Sequence, residues 1–248
     1  MMRIRKMFSE FTKLEMTILI TSVVVIIASF ILTGANDVLT FLSSLFGAVA
    51  LIFIAKGYIF GLIVSICFSI LYSIISFSYK YYGEAITYVF MIIPVDIFSL
   101  VTWKMNKKDN QKEVTIGKLN SKKIALISIL AIIVTTIFYF VLKALDNTNL
   151  LMSTVSITTS FLAGILTLFR SPYYGLAYAA NDLVLIVLWL LATIKDPGYL
   201  PMFLCFVVFL INDLYGFYNW NRLRKIQSAN IVYDPQTLAN QELYKYLK

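Results

Sequence analysis

Hydrophobic residues in this chain fall into eight long blocks separated by short polar breaks. The blocks cover 16–33, 37–55, 57–78, 84–103, 122–142, 150–169, 173–193 and 198–220. Each approaches the ~20 apolar residues that a helix needs to cross a ~30 Å hydrocarbon core. The breaks carry turn chemistry: Gly34-Ala35-Asn36-Asp37, Lys56-Gly57, Tyr82-Gly83-Glu84, Asp146-Asn147-Thr148-Asn149, Arg170-Ser171-Pro172 and Asp196-Pro197-Gly198. Lipid offers no water to unpaired backbone N–H and C=O groups, so blocks of this length must close their hydrogen bonds internally as helices. The pattern predicts an all-α polytopic membrane protein with about eight transmembrane helices. A polar segment from Lys104 to Lys123 divides the blocks into two apolar halves.

Composition agrees: 60% of the 248 residues are hydrophobic, 14% are charged, and the mean hydropathy is +0.82. Soluble domains are about half apolar and about a quarter charged. The net charge of +8 would suit nucleic acid, but its placement along the chain points to the membrane instead. With the N-terminus inside, 18 of the 21 Lys and Arg residues fall on the inner side, leaving only Lys80, Lys143 and Lys195 outside. That asymmetry is the positive-inside pattern for an even number of spans with both termini cytoplasmic. It places the chain in the inner (cytoplasmic) membrane, with the lipid bilayer rather than nucleic acid as its surroundings. Lys56 and Arg170 read as topology charges at the inner surface. The first block follows a basic start without a small-residue cleavage pattern, so it is expected to stay in the mature protein. The polar tail beyond Lys225 reads as a cytoplasmic extension.

The halves resemble each other internally. Lys56 and Gly61 recur as Arg170 and Gly175, offset by 114 residues, and Asp96 and Trp103 recur as Asp213 and Trp220, offset by 117. The expected organisation is a cytoplasmic segment and extra helix (1–36), a three-helix repeat (37–104), a cytoplasmic linker and linking helix (105–149), a second repeat (150–220) and a cytoplasmic tail (221–248). An odd number of helices per repeat plus one linking helix makes the repeats parallel, and the arrangement places a binding site near the midplane between them.

Residue chemistry narrows the function. There is no histidine, and the two cysteines, Cys67 and Cys205, sit alone inside apolar blocks. The sequence therefore points to no metal site, cofactor or disulfide framework, and it offers neither the usual general base nor a nucleophile–base pair for a membrane enzyme. No GxxxxGK[ST] phosphate loop occurs, which excludes built-in ATP drive.

Polar side chains inside lipid-spanning blocks are costly and normally face the bundle interior. In the seventh block these are Asn181 and Asp182, with Tyr178 one turn before Asp182 and Trp189 on the same face. The eighth block carries one stripe of Asn212, Tyr215 and Asn219 and an adjacent one of Asp213, Gly216 and Trp220. The fourth carries Asp96, Ser99 and Trp103. Aromatic faces beside carboxylates and carboxamides suit a flat heteroaromatic ring bearing a ribose: the rings stack, a cationic ring gains cation–π attraction, and Asn both donates and accepts. The bland alternatives are helix–helix hydrogen bonds for the Asn residues, pairing or capping for the Asp residues, and the interfacial belt for Trp103 and Trp220.

Two stretches carry a family resemblance: Arg170-Ser171-Pro172-Tyr173-Tyr174-Gly175-Leu176-Ala177-Tyr178-Ala179-Ala180-Asn181-Asp182, running on to Trp189, and Asn212-Asp213-Leu214-Tyr215-Gly216-Phe217-Tyr218-Asn219-Trp220. Both resemble the PnuC family of nicotinamide riboside transporters, and Tyr82-Gly83-Glu84 and Pro94 fit the first half. The resemblance implies a SWEET-like arrangement of three helices, a linking helix and three helices, here with an extra N-terminal helix. It implies facilitated diffusion of the vitamin, a homo-oligomer expected as a trimer, and a separate cytoplasmic kinase that retains the cargo. It also places substrate contacts on the helices of the Asn181 and Asn212 motifs. Relatives that carry thiamin, riboflavin or deoxynucleosides leave the cargo open, and a membrane sensor or a lipid-modifying enzyme are the competing classes.

Overall fold

The computed structural model describes residues 10–34, 37–79, 81–108, 111–147 and 149–232. Arg3, Arg5, Lys6, Lys80, Lys245 and Lys248 of the charge count lie outside the described residues, as does the end of the tail. Among the described residues, eight helices are long and apolar enough to span a membrane. They are α1 (Lys13–Leu32), α2 (Val38–Ala55), α3 (Ile59–Ser78), α4 (Tyr82–Met105), α5 (Ser121–Ala144), α6 (Leu150–Leu168), α7 (Tyr174–Lys195) and α8 (Leu200–Val232). α8 does not stop at the end of its apolar block but continues as one helix past Arg222, Arg224 and Lys225.

The starts are set by local chemistry. Thr12 and Glu15 form a reciprocal capping box on α1, and Asn120 caps α5. Asp37 caps α2 through the Thr40 amide, and its carboxylate also accepts from the hydroxyls of Thr40 and Tyr79. Burial opposes ionisation of Asp37, yet these bonds outweigh it and hold the carboxyl below its ordinary range. Inside α4, Pro94 has no N–H and its ring crowds the carbonyl of Phe90, so the helix widens into a π turn over Tyr88–Ile92.

Six helices form a closed ring through the contacts α2·α3, α3·α4, α4·α6, α6·α7, α7·α8 and α8·α2. The third helix of each half thus packs on the first helix of the other. Small and hydroxyl residues allow close approach: the buried face of α6 carries Ser153, Ser156, Ser160, Ala163, Gly164 and Thr167. At Gly175 an added Cβ would lie 2.5 Å from the Asp213 carbonyl, so α7 and α8 touch backbone to backbone there. Large apolar side chains point outward instead, among them Phe90, Phe98, Ile132, Phe140 and Ile194. That inversion is stable only with lipid or another apolar surface around the bundle.

α1 and α5 stand outside the ring. α5 lies against α6, with Thr135 and Thr158 hydroxyls 2.7 Å apart. α1 lies against α2 and α8 and is fixed by a buried ion pair, Lys56 Nζ to Glu15 Oε2 at 2.8 Å, with Tyr215 donating to Glu15 Oε1 at 2.8 Å. Lys56 is therefore not the free surface charge that its position in the sequence indicated; Glu15 of the extra helix draws it inward.

The ring ends at two faces, one basic, carrying Lys56, Lys104 and Arg170, and the opposite one, carrying Asp37 and Lys195. At the basic face the repeat turns match in backbone geometry. Gly57 and Arg170 both adopt left-handed conformations, their amides bonding Ile54 and Thr167 carbonyls. The equivalent residues are thus offset by 113, one less than the pairing of Lys56 with Arg170 implies, because the helix-ending left-handed position decides the register. A strap from the linker crosses both turns: Val114 N bonds the Gly57 carbonyl at 3.0 Å, and Gly117 N bonds the Arg170 carbonyl at 2.9 Å.

Candidate functional site

A cavity of about 40 Å³ lies inside the ring, walled by α2, α3, α4, α7 and α8. Its polar wall comes from Ser65 and Ser69 of α3, Asn181 and Asp182 of α7, and Asp213 of α8. Its aromatic wall is Phe68, Tyr88 and Phe209, with Tyr178 beside the acids. Phe68 sets its ring edge-to-face against Tyr88 at 5.9 Å and against Phe209 at 5.2 Å. The π turn of α4 aims Tyr88 and Ile92 into this space, and Gly47 leaves room for the Phe209 ring, which an added Cβ would meet at 2.1 Å. A larger groove of about 630 Å³ opens at the basic face between the strap, α5 and α6, outside the ring.

The polar groups of the cavity are partly unspent. Asn181 Oδ1 lies 3.1 Å from the Ser156 hydroxyl, 2.9 Å from that of Thr159 and 3.0 Å from that of Ser160, which orients the carboxamide. Asp182 and Asp213 face each other within hydrogen-bond reach, yet Asp182 Oδ2 and the Ser69 hydroxyl are buried without a partner among the described residues. Leaving buried polar atoms unpaired costs roughly 1–3 kcal/mol each, so a ligand that satisfies them gains that much over one that does not. Lys and Arg on the ring helices lie at helix ends or on the part of α8 beyond its apolar block, and none lines the cavity.

Aromatic side chains close the space at both ends. Toward the opposite face, Trp189 Nε1 donates to the Tyr72 hydroxyl at 3.1 Å, and Tyr79, Tyr81 and Tyr199 set their edges or faces against the same indole. Toward the basic face, the Trp103 and Trp220 rings lie 5.2 Å apart with Tyr174 against Trp220 at 4.7 Å. The two indoles cross between halves: Trp103 Nε1 bonds the Thr167 carbonyl at 3.0 Å, and Trp220 Nε1 bonds the Ile54 carbonyl at 2.9 Å. Both are fully buried, so neither sits in an interfacial belt.

Of the nine residues singled out in the sequence, Tyr178, Asn181, Asp182 and Asp213 line the cavity. Trp189 belongs to the aromatic closure on the opposite side. Asn212 turns toward α1, its Nδ2 donating to the Ser22 hydroxyl at 3.2 Å and to the Val208 carbonyl at 2.9 Å. Tyr215 also faces α1, and Asn219 bonds the Ala55 carbonyl at 2.9 Å near the basic face. Residues that the sequence reading passed over are Ser65, Ser69 and Tyr72, a stripe at helical spacing on α3, together with Phe68, Tyr88 and Phe209. Hydroxyls at i, i+4 and i+7, in a block that also carries Ser73, Ser76 and Ser78, were the available signal; the aromatic residues had none to separate them from packing.

A cavity with one polar wall inside a ring of spanning helices, flanked by aromatic clusters toward both faces, defines a multi-pass membrane protein with an internal site. Residues 37–222 match the family described as Nicotinamide mononucleotide transporter, and the chain belongs to that family. The helix α1 precedes the matched region. A nicotinamide riboside transporter PnuC from Neisseria mucosa is 26% identical over 192 residues, covering 74% of this chain and 72% of that protein. The nicotinamide riboside transporter PnuC of Haemophilus influenzae is 24% identical over 193 residues, covering 75% and 80%. The crystal structure of the vitamin B3 transporter PnuC shares the fold, with a TM-score of 0.78 at 23% identity over 89% of this chain and 96% of that one.

Proposed function

We propose that the protein carries nicotinamide riboside across the cytoplasmic membrane by facilitated diffusion, without chemical change to its cargo. The observation that carries this reading is the makeup of the cavity: two facing carboxyls, a fixed carboxamide and four aromatic rings, with no basic side chain among its lining residues. A pyridinium ring finds stacking partners and counter-charge there, and its ribose and amide find Asn181 and the serine hydroxyls. The phosphate of the mononucleotide finds no cation, which favours the nucleoside as cargo. The Neisseria and Haemophilus relatives, both nicotinamide riboside transporters, support the same choice. Tyr178, Asn181, Asp182 and Asp213 are the contacts in the closed cavity, and Trp189 and Trp220 belong to the closures on either side.

At about 40 Å³ the cavity holds little more than one water's share of space, whereas small-molecule sites span roughly 300–1,000 Å³. Binding therefore requires the aromatic closures to part, one at a time, which is alternating access. The basic face is the cytoplasmic side, with both termini there. A uniporter only equilibrates its cargo, so net uptake rests on a separate cytoplasmic kinase that consumes it. The broad apolar faces of α1 and α5 suit a homo-oligomer, expected as a trimer.

The test is uptake of labelled nicotinamide riboside into vesicles containing the purified protein, with no pH gradient or membrane potential. Uptake to equal concentrations on both sides is expected. Strict dependence on either gradient overturns simple facilitation, and absence of uptake while thiamin, riboflavin or a deoxynucleoside enters reassigns the cargo.

A further inference from the structure

Four acids lie within the spanning segments of the six-helix ring: Glu84, Asp96, Asp182 and Asp213, each at most 3% exposed. Three have a partner. Asp96 accepts from Ser65 at 2.7 Å, and Asp182 and Asp213 face each other. Glu84 differs: its carboxyl oxygens are buried, no Lys or Arg pairs with it among the described residues, and the hydroxyl near it is that of Ser156. The nearby Ser156 hydroxyl has one hydrogen and directs it to Asn181 Oδ1.

Position makes this acid informative. Glu84 starts α4 at the opposite face, one turn before Tyr88, whose ring lines the cavity. Its other neighbour is Tyr72, which packs edge-to-face on Tyr88 at 4.5 Å and holds the Trp189 indole. The carboxyl thus lies on the opposite-face side of Tyr88, near Tyr72 and Ser156. The start of α4 is itself held in place, because Asn147 Oδ1 accepts from Gly83 N and Asn147 Nδ2 donates to Ser153. An unpaired buried carboxyl is destabilising unless something compensates it, and a cation brought beside it supplies what the fold withholds.

We infer that Glu84 is a specificity residue for the outer half of the pathway, giving a permanently cationic ring its counter-charge as it passes the Tyr72–Tyr88 pair toward the cavity. The inference rests on the transport of nicotinamide riboside proposed above. The ligand class it selects is a quaternary aromatic nitrogen, and an uncharged ring of the same size loses the benefit.

The experiment compares two probes of nearly equal shape, cationic nicotinamide riboside and its uncharged 1,4-dihydro form, by calorimetric titration of the full-length protein in detergent. Wild type is expected to prefer the cation by at least tenfold, and Glu84→Gln to reduce that preference at least tenfold. Equal affinity of wild type for both probes overturns the inference without any variant. An equal loss for both probes in Glu84→Gln assigns Glu84 to packing and overturns it as well, as does an unchanged preference. If wild type binds neither probe, it is the proposed function that fails, so the two failures are distinguishable.

Discussion

Each half of the molecule holds a buried carboxyl between its second and third helices, and the two halves satisfy it differently. In the first, Ser65 donates to Asp96 at 2.7 Å across a sequence separation of 31 residues. In the second, Asp182 faces Asp213, again 31 residues apart, and one Asp182 oxygen has no partner among the described residues. A hydroxyl facing a carboxylate is a finished interaction. Two carboxyls facing each other leave acceptor oxygens unused, as the second Asp182 oxygen is here. The crossed Trp103 and Trp220 hydrogen bonds are common to both halves, whereas the facing pair of carboxyls is a departure found in the second half. That departure brings a second carboxyl to the cavity wall.

The largest effect should come from removing that departure. Asp182→Asn is expected to weaken nicotinamide riboside binding by about 2–5 kcal/mol, the scale for losing one member of a buried charge contact. Ser65→Ala should cost only the ~0.5–1.5 kcal/mol of an ordinary hydrogen bond. Calorimetric titration of both variants decides it, and equal losses would mean that the two pairs do the same job.

The two asparagines separate next. Asn181→Ala should weaken binding by roughly 1–3 kcal/mol, because a buried carboxamide is lost and the Ser156, Thr159 and Ser160 hydroxyls lose an acceptor. Asn212→Ala should instead lower the melting temperature, since its amide holds Ser22 of α1. A binding defect in Asn212→Ala with unchanged melting would return that residue to the ligand.

The smallest and most symmetric effect is expected from the crossed indoles. Trp103→Phe and Trp220→Phe each remove one N–H bond to the opposite half, worth about 1 kcal/mol. Thermal unfolding of the two variants should show similar losses. A much larger loss in Trp220→Phe would show that the basic-side closure is anchored by the second half alone.

Much of this architecture is legible in the chain. The eight apolar blocks fall within a few residues of the eight helices because a ~30 Å apolar solvent imposes both length and hydrogen-bond closure. Helix ends are less legible: α8 runs on to Val232 because nothing in the sequence after Trp220 breaks a helix, and lipid thickness no longer limits it there. The acids and Asn181 stand out because a polar group in an apolar block is conspicuous. Ser65, Ser69 and Glu84 were less visible, the serines because hydroxyls in such helices often bond their own carbonyls, as Ser73 does to Ser69, and Glu84 because it stands beside a turn.

The sequence by itself determined the number of spans and pointed to the family, since block lengths and motifs are read along one dimension. Which face of each helix meets which neighbour depends on how six helices close into a ring. That closure alone decided that Asn212 and Tyr215 turn to α1, that Asn181, Asp182 and Asp213 share a cavity with Phe68 and Tyr88, and that the indoles become closures. A helical stripe specifies a face, but only packing specifies what that face touches.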